Sequence, residues 1–303
     1  MAERHLLVGG VGFLGVNIAS RLAGEGVEVV VLARRSSVER RRRLASVLEK
    51  LGARMVVVET LGPGDVERVE PDVIYHLAGK AGGPYRVQWE AHVGLLEREI
   101  EAAERLGSRI VYVSSIAPAV DASPLPPGST LVEEEEHLWG AKQGFETIHA
   151  ETKAEGERRL VATRLYWAIL RPTLIAGRYS YHVEWRIVRL LARLGLAPNA
   201  RVQAVSAGDV ARIAVEAGRG GFDGRWVNIA SPYTMGDYAL ATCKGLGRRR
   251  CARIPVEAAL RLGRLAPRSS PARLAWSIAR KRYIIASRLL EGFEWSLEPS
   301  LYD

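Results

Sequence analysis

Residues 5–15 of the chain read His5-Leu6-Leu7-Val8-Gly9-Gly10-Val11-Gly12-Phe13-Leu14-Gly15. A short apolar run stops at this glycine cluster, and residues 16–24 after it have the apolar spacing of a helix. Glycines in this place allow a tight turn, let the backbone approach a pyrophosphate and let the helix pack closely on the strand. The stretch predicts a dinucleotide-binding loop, although a glycine-rich turn that binds nothing is the alternative. Its cofactor-binding residues would be Gly9, Gly12, Phe13, Leu14 and Gly15.

Outward from this loop, strand-like and helix-like segments alternate. The expected strands are 5–8, 27–32, 54–58, 72–77, 109–113, 167–170, 202–205 and 226–229. The expected helices are 16–24, 37–51, 87–106, 141–162, 183–195, 209–217, 234–246, 255–264 and 272–290. Such alternation predicts an α/β protein with a doubly wound parallel Rossmann sheet and a smaller, mostly helical C-terminal substrate domain.

Predicted helices dominate beyond about residue 183, so we also expect the chain to divide into two domains. We expect residues 1–178, plus about 201–230, to form the NAD(P)-binding Rossmann domain. About 179–200 and 231–303 would form the substrate-binding part. Residues 118–136, with four prolines and the acidic run 133–136, are expected to form a surface loop, with the run solvated rather than binding a metal.

Composition narrows the class of protein. No run approaches the ~18 apolar residues of a transmembrane helix, so no membrane insertion is expected. The first residues lack the features of a signal peptide, which predicts a cytoplasmic location. The two cysteines, Cys243 and Cys251, are interpreted as separate thiols, and no metal site is expected.

The charge is positive and unevenly placed. Of the net +9, residues 248–303 carry +7, from 12 basic and 5 acidic residues. This segment could face an anionic substrate, a nucleic acid or a membrane surface, or could simply be solvated. Only three Asn and three Gln occur, and Arg greatly outnumbers Lys, a composition typical of thermophiles or of a biased genome.

The end of the second strand bears on cofactor choice. An acidic residue usually stands there in an NAD site, to accept the ribose hydroxyls. Here Ala33 holds the place, followed by Arg34 and Arg35. Because guanidinium groups bind a 2′-phosphate well, we expect NADP(H), with NAD(H) less favoured. Alternatively, the two arginines only begin the basic helix that contains residues 40–43.

Further short motifs follow the loop in a fixed order. They are His76-Leu77-Ala78, Val113-Ser114-Ser115, Arg171-Pro172 with Gly177, Gly208-Asp209-Val210-Ala211 and Val227-Asn228-Ile229. The order and spacing of these motifs, from residue 5 to about 230, resemble those of the extended short-chain dehydrogenase/reductases, the NAD(P)-dependent epimerase/dehydratase group. Within that group the chain would be an atypical member. The resemblance implies that Leu77, Ala78, Gly79 and Pro172 lie against the cofactor.

The resemblance also implies a mechanism in which a Ser, a Tyr and a Lys act together. The Tyr exchanges a proton with the substrate, the Lys holds the ribose and lowers the Tyr pKa, and the Ser hydrogen-bonds the reacting oxygen. Ser115 matches the serine, with Ser114 less favoured, and Lys153 matches the lysine. Four residues before Lys153, where the family has its Tyr, this sequence has His149.

Three interpretations of this replacement remain open. His149 could be the acid/base, with a water or shifted substrate bridging the shorter side chain; its ordinary pKa of about 6.5 suits the task. Tyr179 or Tyr181 could supply the proton instead. Finally, the protein could have lost redox chemistry and bind NADP as a structural or sensing ligand.

The sequence therefore predicts an NADP(H)-dependent oxidoreductase or epimerase/dehydratase acting on a hydroxyl or carbonyl carbon. A sugar nucleotide would suit the basic C-terminal part as an anionic small-molecule substrate. The alternative is a non-catalytic NADP-binding subunit or a nucleic-acid-binding relative. The resemblance further implies a homodimer that pairs helices 87–106 and 141–162.

Overall fold

The computed structural model describes residues 2–133 and 144–301. The strands are β1 (Arg4–Val8), β2 (Glu28–Arg34), β3 (Arg54–Val58), β4 (Val73–His76), β5 (Arg109–Val113), β6 (Thr130–Leu131), β7 (Trp167–Pro172), β8 (Leu174–Ala176), β9 (Leu196–Asn199), β10 (Ala204–Ser206), β11 (Arg225–Ile229), β12 (Ala252–Pro255) and β13 (Ile284–Ile285). The α-helices are α1 (Phe13–Leu22), α2 (Arg35–Arg40), α3 (Arg42–Lys50), α4 (Pro63–Glu67), α5 (Tyr85–Trp89), α6 (Leu95–Leu106), α7 (Ala117–Ala122), α8 (Ile148–Val161), α9 (Val183–Arg193), α10 (Ala207–Gly218), α11 (Met235–Gly245), α12 (Glu257–Leu262) and α13 (Pro271–Lys281).

A seven-stranded sheet in the order β11-β7-β5-β4-β1-β2-β3 organises the fold. From β7 to β3, every neighbouring pair of strands is parallel. The strand order reverses between β1 and β4, and in such sheets ligands bind outside the carboxyl ends of the strands at this point. The predicted doubly wound parallel Rossmann sheet is confirmed.

The chain divides into two compact units. Unit 1 comprises residues 1–114, 152–170 and 211–227, and unit 2 comprises 115–151, 171–210 and 228–303. Unit 1 contains β1 to β5, most of β7 and the start of β11. Its central strands are apolar runs with no exposed surface at residues such as Leu6, Leu7, Val30 and Val31, as expected for strands covered on both faces.

Two predicted helices of unit 1 are interrupted. The helix expected over 37–51 is wrong as one element, because Arg41, with φ −129° and ψ 40°, separates α2 from α3. The helix expected over 87–106 contains a π-helical turn at Glu90–Gly94 between α5 and α6. Such turns are rare and frequently occur near functional sites.

Helix α8 begins later than predicted. Residues 141–143 of the expected helix lie outside the described residues, and 144–147 are not helical. The Thr147 hydroxyl accepts a hydrogen bond from the N–H of Ala150 at 3.1 Å, so Thr147 caps the helix. His149 therefore lies in the first turn of α8.

Unit 2 contains short strand pairs and a core beneath α9. Strand β8 pairs with β10, and β9 pairs with β12, each in parallel. Trp185 and Val188 of α9 pack in one buried cluster with Tyr238 and Ala239 of α11. The Trp185 indole N–H also donates to the Ile175 carbonyl at 2.8 Å, so its polar edge is satisfied.

A disulfide bond joins Cys243, in the last turn of α11, to Cys251. The interpretation of these cysteines as separate thiols is wrong. The chain turns back at Gly247, where φ is +78°, and this brings the two Cα atoms to 6.3 Å. A local turn thus creates the pairing, and the eight-residue spacing alone does not reveal it.

The last predicted helix, 272–290, is also too long. Helix α13 ends at Lys281, Arg282 adopts a left-handed conformation, and β13 then pairs with β6. A contact more than 150 residues away in the chain therefore overrides the local helical pattern. Among the described residues, no helix is both long enough and apolar enough to span a membrane.

The acidic run of the predicted surface loop is described only at its first residue. Glu133 is not simply solvated, because its carboxylate accepts hydrogen bonds from the N–H of Asn228 at 2.9 Å and of Arg288 at 3.1 Å. Residues 134–136 lie outside the described residues.

Candidate functional site

In the glycine loop, residues 9–15, the positions of Gly9, Gly10 and Gly15 leave no room for a side chain. A Cβ on Gly15 would lie 2.0 Å from the Gly10 carbonyl oxygen, and one on Gly10 would lie 2.8 Å from the Leu7 Cβ. Gly9 has φ +73°, and its Cβ would come within 2.9 Å of the Ala78 backbone. Helix α1 starts directly after Gly12, which offers no side-chain cap. The loop thus presents bare backbone and a helix N-terminus, as pyrophosphate binding requires.

The segment after β4 lies against this loop. The Leu77 N–H donates to the Val8 carbonyl at 3.0 Å, which continues the β1–β4 ladder to its carboxyl end. Ala78 then lies against Gly9, since a Cβ on Gly9 would come within 2.9 Å of the Ala78 backbone. A Cβ on Gly79 would lie 3.8 Å from the Lys153 Nζ. Four predicted cofactor-binding positions, Gly9, Ala78, Gly79 and Lys153, are therefore brought together within unit 1.

Lys153 is buried, with 3% of its surface exposed. Its ammonium donates to the Val113 carbonyl oxygen at 2.7 Å and lies 4.6 Å from the centre of the Tyr112 ring. Burial lowers the pKa of Lys153 to about 7, although the charges of Glu157 and Glu99 oppose the shift. The side chain can therefore gain or lose a proton near neutral pH, which is unusual for a lysine.

Glu157, one helical turn after Lys153, is fully buried. Ser114 donates its hydroxyl to one carboxylate oxygen at 2.5 Å, and the Trp226 indole N–H donates to the other at 3.2 Å. The sequence reasoning did not identify Glu157. The i, i+4 spacing from Lys153 was the available signal, since such residues share one face of a helix.

His92, in the π-helical turn, links two elements around Lys153. The Lys80 backbone N–H donates to its Nε2 at 3.0 Å, so Nε2 is an acceptor and the proton resides on Nδ1. Nδ1 then donates to the Thr152 hydroxyl at 2.7 Å. The loop after Gly79 and the residue before Lys153 are thus joined by one neutral imidazole. No local sequence pattern indicated this role, because the contact spans 60 residues.

His76 is also structural. It is fully buried, with Nδ1 3.0 Å from both Glu99 carboxylate oxygens and Nε2 3.1 Å from the Ala91 carbonyl oxygen. Both ring nitrogens are therefore within hydrogen-bond distance of protein oxygen atoms.

The two serines after β5 differ in their hydrogen-bond partners. Ser114 is buried and donates its hydroxyl to the Glu157 carboxylate. Ser115 is partly exposed, and its Oγ accepts the Ala117 N–H at 3.2 Å. The bond to Ala117 leaves the Ser115 hydroxyl proton available to a substrate oxygen. This difference favours Ser115 over Ser114 as the serine that contacts substrate.

His149 is 8% exposed and lies on α8 one turn before Lys153. No tyrosine occupies this turn. Tyr179, the alternative proton donor, has a left-handed backbone with φ +66°, an outlier for a bulky residue. The Arg178 guanidinium lies 4.9 Å from its ring centre. Tyr181 stacks on His182 at 4.9 Å.

Arginines at and after the end of β2 differ in their contacts. Arg34 is exposed at its end, and Arg35 is ion-paired with Glu59. Arg41, which the sequence reasoning treated only as part of a basic helix, donates to the Val11 carbonyl of the glycine loop at 2.8 Å. Phe13 and Leu14, also predicted to bind the cofactor, are buried in the first turn of α1. Pro172 ends β7, and its carbonyl accepts the Ile116 N–H at 3.1 Å.

The model of the NAD dependent epimerase/dehydratase family matches residues 5–230. Among curated proteins, none is similar enough in sequence to match.

Solved structures share the fold. A UDP-galactose 4-epimerase has a TM-score of 0.62 at 19% identity, covering 92% of this chain and 98% of its own. The Bordetella bronchiseptica enzyme WbmG, in complex with NAD and UDP, has a TM-score of 0.64 at 15% identity, covering 95% and 99%. An ADP-L-glycero-D-manno-heptose-6-epimerase from Helicobacter pylori has a TM-score of 0.63 at 16% identity, covering 84% and 86%.

Proposed function

The chain belongs to the NAD dependent epimerase/dehydratase family, and from that membership we propose that it is an NADP(H)-dependent epimerase or dehydratase acting on a sugar nucleotide. Similar solved structures include a UDP-galactose 4-epimerase and an ADP-L-glycero-D-manno-heptose-6-epimerase, and the structure of WbmG holds NAD and UDP. A sugar nucleotide also suits the positive net charge. We place the protein in the cytoplasm, as a homodimer.

The packing between the glycine loop and the Lys153 segment carries this proposal. Backbone atoms within 3 Å exclude side chains at Gly9 and Gly15. This close packing of strand, loop and helix supports the assignment of the loop to a pyrophosphate. Lys153 approaches Gly79 from α8, in a position suited to the ribose hydroxyls. Residues 78 and 79 connect the two features, because Ala78 contacts Gly9 and Gly79 lies near the buried Lys153.

Preference for NADP(H) over NAD(H) rests on charge. Ala33 is buried where an acidic residue would accept ribose hydroxyls, and Arg34 follows it on the surface. Arg41, held against the loop through Val11, adds a second guanidinium. We propose that Arg34 and Arg41 bind the 2′-phosphate, whereas Arg35 is engaged with Glu59.

We assign the proton transfer to His149. When bound, the nicotinamide would accept or return a hydride. His149 would remove the proton of the substrate hydroxyl and later return it, since its ordinary pKa lies near neutrality. Ser115 would orient the same oxygen by donating its hydroxyl hydrogen. Lys153, with its pKa lowered to about 7, repels an imidazolium less than a fully charged lysine would.

Loss of the tyrosine also supports a second candidate, a non-catalytic subunit that keeps NADP as a structural or sensing ligand. It predicts nucleotide binding without turnover of any sugar nucleotide. Tyr179 offers a third route within the enzyme interpretation, because strained backbone often occurs at functional positions.

The test is turnover of UDP-hexoses by the full chain with NADP or NAD, in the wild type, His149→Ala and Tyr179→Phe. Loss of a general acid/base costs about 10² to 10⁴ in rate. We expect this loss in His149→Ala, with Tyr179→Phe close to wild type and NADPH binding retained in both. The reverse pattern assigns the proton to Tyr179. Tight NADPH binding without turnover of UDP-, ADP- or GDP-sugars would support the non-catalytic role.

A further inference from the structure

Helix α9 is apolar on two opposite faces. Its inner face, Trp185, Val188 and Ala192, is fully buried. On the opposite face, Val183, Ile187, Leu190 and Leu194 are 57%, 52%, 58% and 70% exposed. At 100° per residue these four side chains fall within about 60° of one another, in a row about 16 Å long. We call this row the α9 stripe.

A single exposed leucine is ordinary on a protein surface, but an aligned row of four aliphatic side chains is not. The inner face already provides the contacts that hold α9 on unit 2, with Trp185 and Val188 packed in its core. The outer row is therefore not needed to hold α9 in place, and exposing its apolar surface to water is unfavourable. An apolar environment outside the chain would remove this cost.

Positive charge borders the α9 stripe. Arg186 and Arg193 are exposed on one side of it. At the carboxyl end of the helix, Arg248 donates to the Arg193 carbonyl, and Arg249 and Arg250 are exposed next to it. Strand β12 then pairs with β9 directly after α9, which fixes this basic turn beside Leu194.

This combination selects among possible partners. A second copy of the chain, bound through the same patch, would bring together two patches that each carry an excess of arginines, because a twofold interface uses the same surface of both copies. Nucleic acid would meet the arginines, but RNA-binding surfaces stack bases on aromatic side chains rather than on Val, Ile and Leu. Aliphatic side chains bordered by arginines match the boundary between acyl chains and anionic phosphates.

We propose that the α9 stripe and its arginines bind the surface of an anionic lipid bilayer. The helix lies in the interface plane, with the stripe inserted among the acyl chains. The exposed Arg186, Arg193 and Arg248–Arg250 contact lipid phosphates. The protein lies on the membrane and does not cross it. This interaction would bring the protein to substrates or products held at a bilayer.

The experiment is co-sedimentation of the full chain with vesicles of phosphatidylcholine alone or with 30% phosphatidylglycerol. Wild type should partition at least about a hundredfold more strongly into the anionic vesicles, and high salt should weaken this partition. Arg248→Gln/Arg249→Gln/Arg250→Gln should reduce the partition about a hundredfold, since each basic residue near an anionic surface contributes about a factor of five. Ile187→Ser/Leu190→Ser should reduce it about tenfold or more, because both side chains would insert.

The matched control is Leu262→Ser/Leu265→Ser, which removes two leucines of similar exposure outside α9. It should partition like wild type, and circular dichroism should confirm that every variant is folded. Equal partition of wild type into both vesicle types overturns the proposal. So does an equal loss in the control and stripe variants. If the wild type does not bind vesicles, two further results would identify another partner and overturn the proposal. One is RNA binding that Ile187→Ser/Leu190→Ser leaves intact, and the other is a dimer that this variant dissociates.

Discussion

The polar cluster around Lys153 and the core beneath α9 are both buried, but the first is made of charged groups and the second of aromatic and aliphatic side chains. The first contains an ammonium group and the carboxylates of Glu157 and Glu99, held by specific hydrogen bonds. The second is a contact of Trp185 and Val188 with Tyr238. Buried charge stabilises a fold poorly, whereas buried aromatic surface stabilises it well. Under the proposed function, we therefore expect the Lys153 cluster to serve chemistry at a cost in stability, and the α9 core to stabilise the fold.

Replacing Lys153 with Met should separate the two roles most clearly. The folded-state pKa of about 7 lies below the unfolded value near 10.5. Between these values the unfolded chain binds more protons, so the free energy of unfolding of the wild type rises with pH from about 7 to about 10.5. Below pH 7 the wild type bears the full cost of a buried ammonium, up to about 5 kcal/mol at 1.36 kcal/mol per pKa unit.

Lys153→Met should therefore be more stable than wild type at pH 6, and this advantage should shrink as pH approaches 10.5. Urea denaturation without nucleotide, at several pH values, measures the difference. The same variant should lose nucleotide affinity. A constant difference between wild type and variant across pH would contradict the account of Lys153.

Trp185→Ala should have the opposite sign. It removes a fully buried indole from the α9 core and should lower the free energy of unfolding by about 3–5 kcal/mol. The loss should not depend on pH between 6 and 10, because the side chain does not titrate. Tyr166→Ala, at a ring that is 66% exposed, is the control and should cost less than about 1 kcal/mol. If the loss in free energy of unfolding caused by Trp185→Ala depends on pH, the pH dependence is not specific to Lys153 and the contrast between the two regions fails.

Gly15→Ala tests the cofactor end of unit 1. Its Cβ would overlap the Gly10 carbonyl oxygen, so the loop must shift, at a cost of about 1–3 kcal/mol. We expect a lower melting temperature and loss of NADPH binding. Gly64→Ala, in α4 with nothing within 4 Å of the new Cβ, should leave both unchanged. If the Gly15 variant binds NADPH like wild type, the loop does not hold the pyrophosphate.

Arg34→Ala should give the smallest effect. Loss of one exposed guanidinium near a phosphate should reduce NADPH affinity about tenfold, or about 1.4 kcal/mol, and leave NADH affinity unchanged. Arg35→Ala, which instead breaks the ion pair with Glu59, should change neither affinity by more than about twofold. Isothermal titration with both nucleotides measures this. An equal loss for NADPH and NADH in Arg34→Ala would remove the basis for NADP preference.

The sequence predicted the central sheet because its strands are apolar runs buried on both faces, a signal contained in each segment. It predicted the glycine loop because the spaced glycines stand between a strand-like and a helix-like segment, although the atoms that exclude a Cβ at Gly9 come from the distant Ala78. The break at Arg41, the disulfide and the pairing of β13 with β6 were not predicted, because each depends on backbone turns or distant partners.

The candidate site divides in the same way. The positions of Gly9, Ala78 and Lys153 follow from motifs that the sequence displays. The partners that tune Lys153 do not, because they come together only in three dimensions. His92 reaches Thr152 across 60 residues, and Glu157 meets Ser114 across 43. His149 is visible in the sequence as a replacement, but its consequence is chemical and requires an assay.

Titration of the purified chain with NADPH and with NADH, followed by nucleotide fluorescence, tests the central claim most directly. We predict saturable binding of one NADPH per chain, tighter than that of NADH, and lost in Gly15→Ala but retained in Gly64→Ala. The account is contradicted if neither nucleotide binds, or if the two glycine variants bind NADPH equally. Either result would mean that the loop and the Lys153 cluster do not bind a dinucleotide.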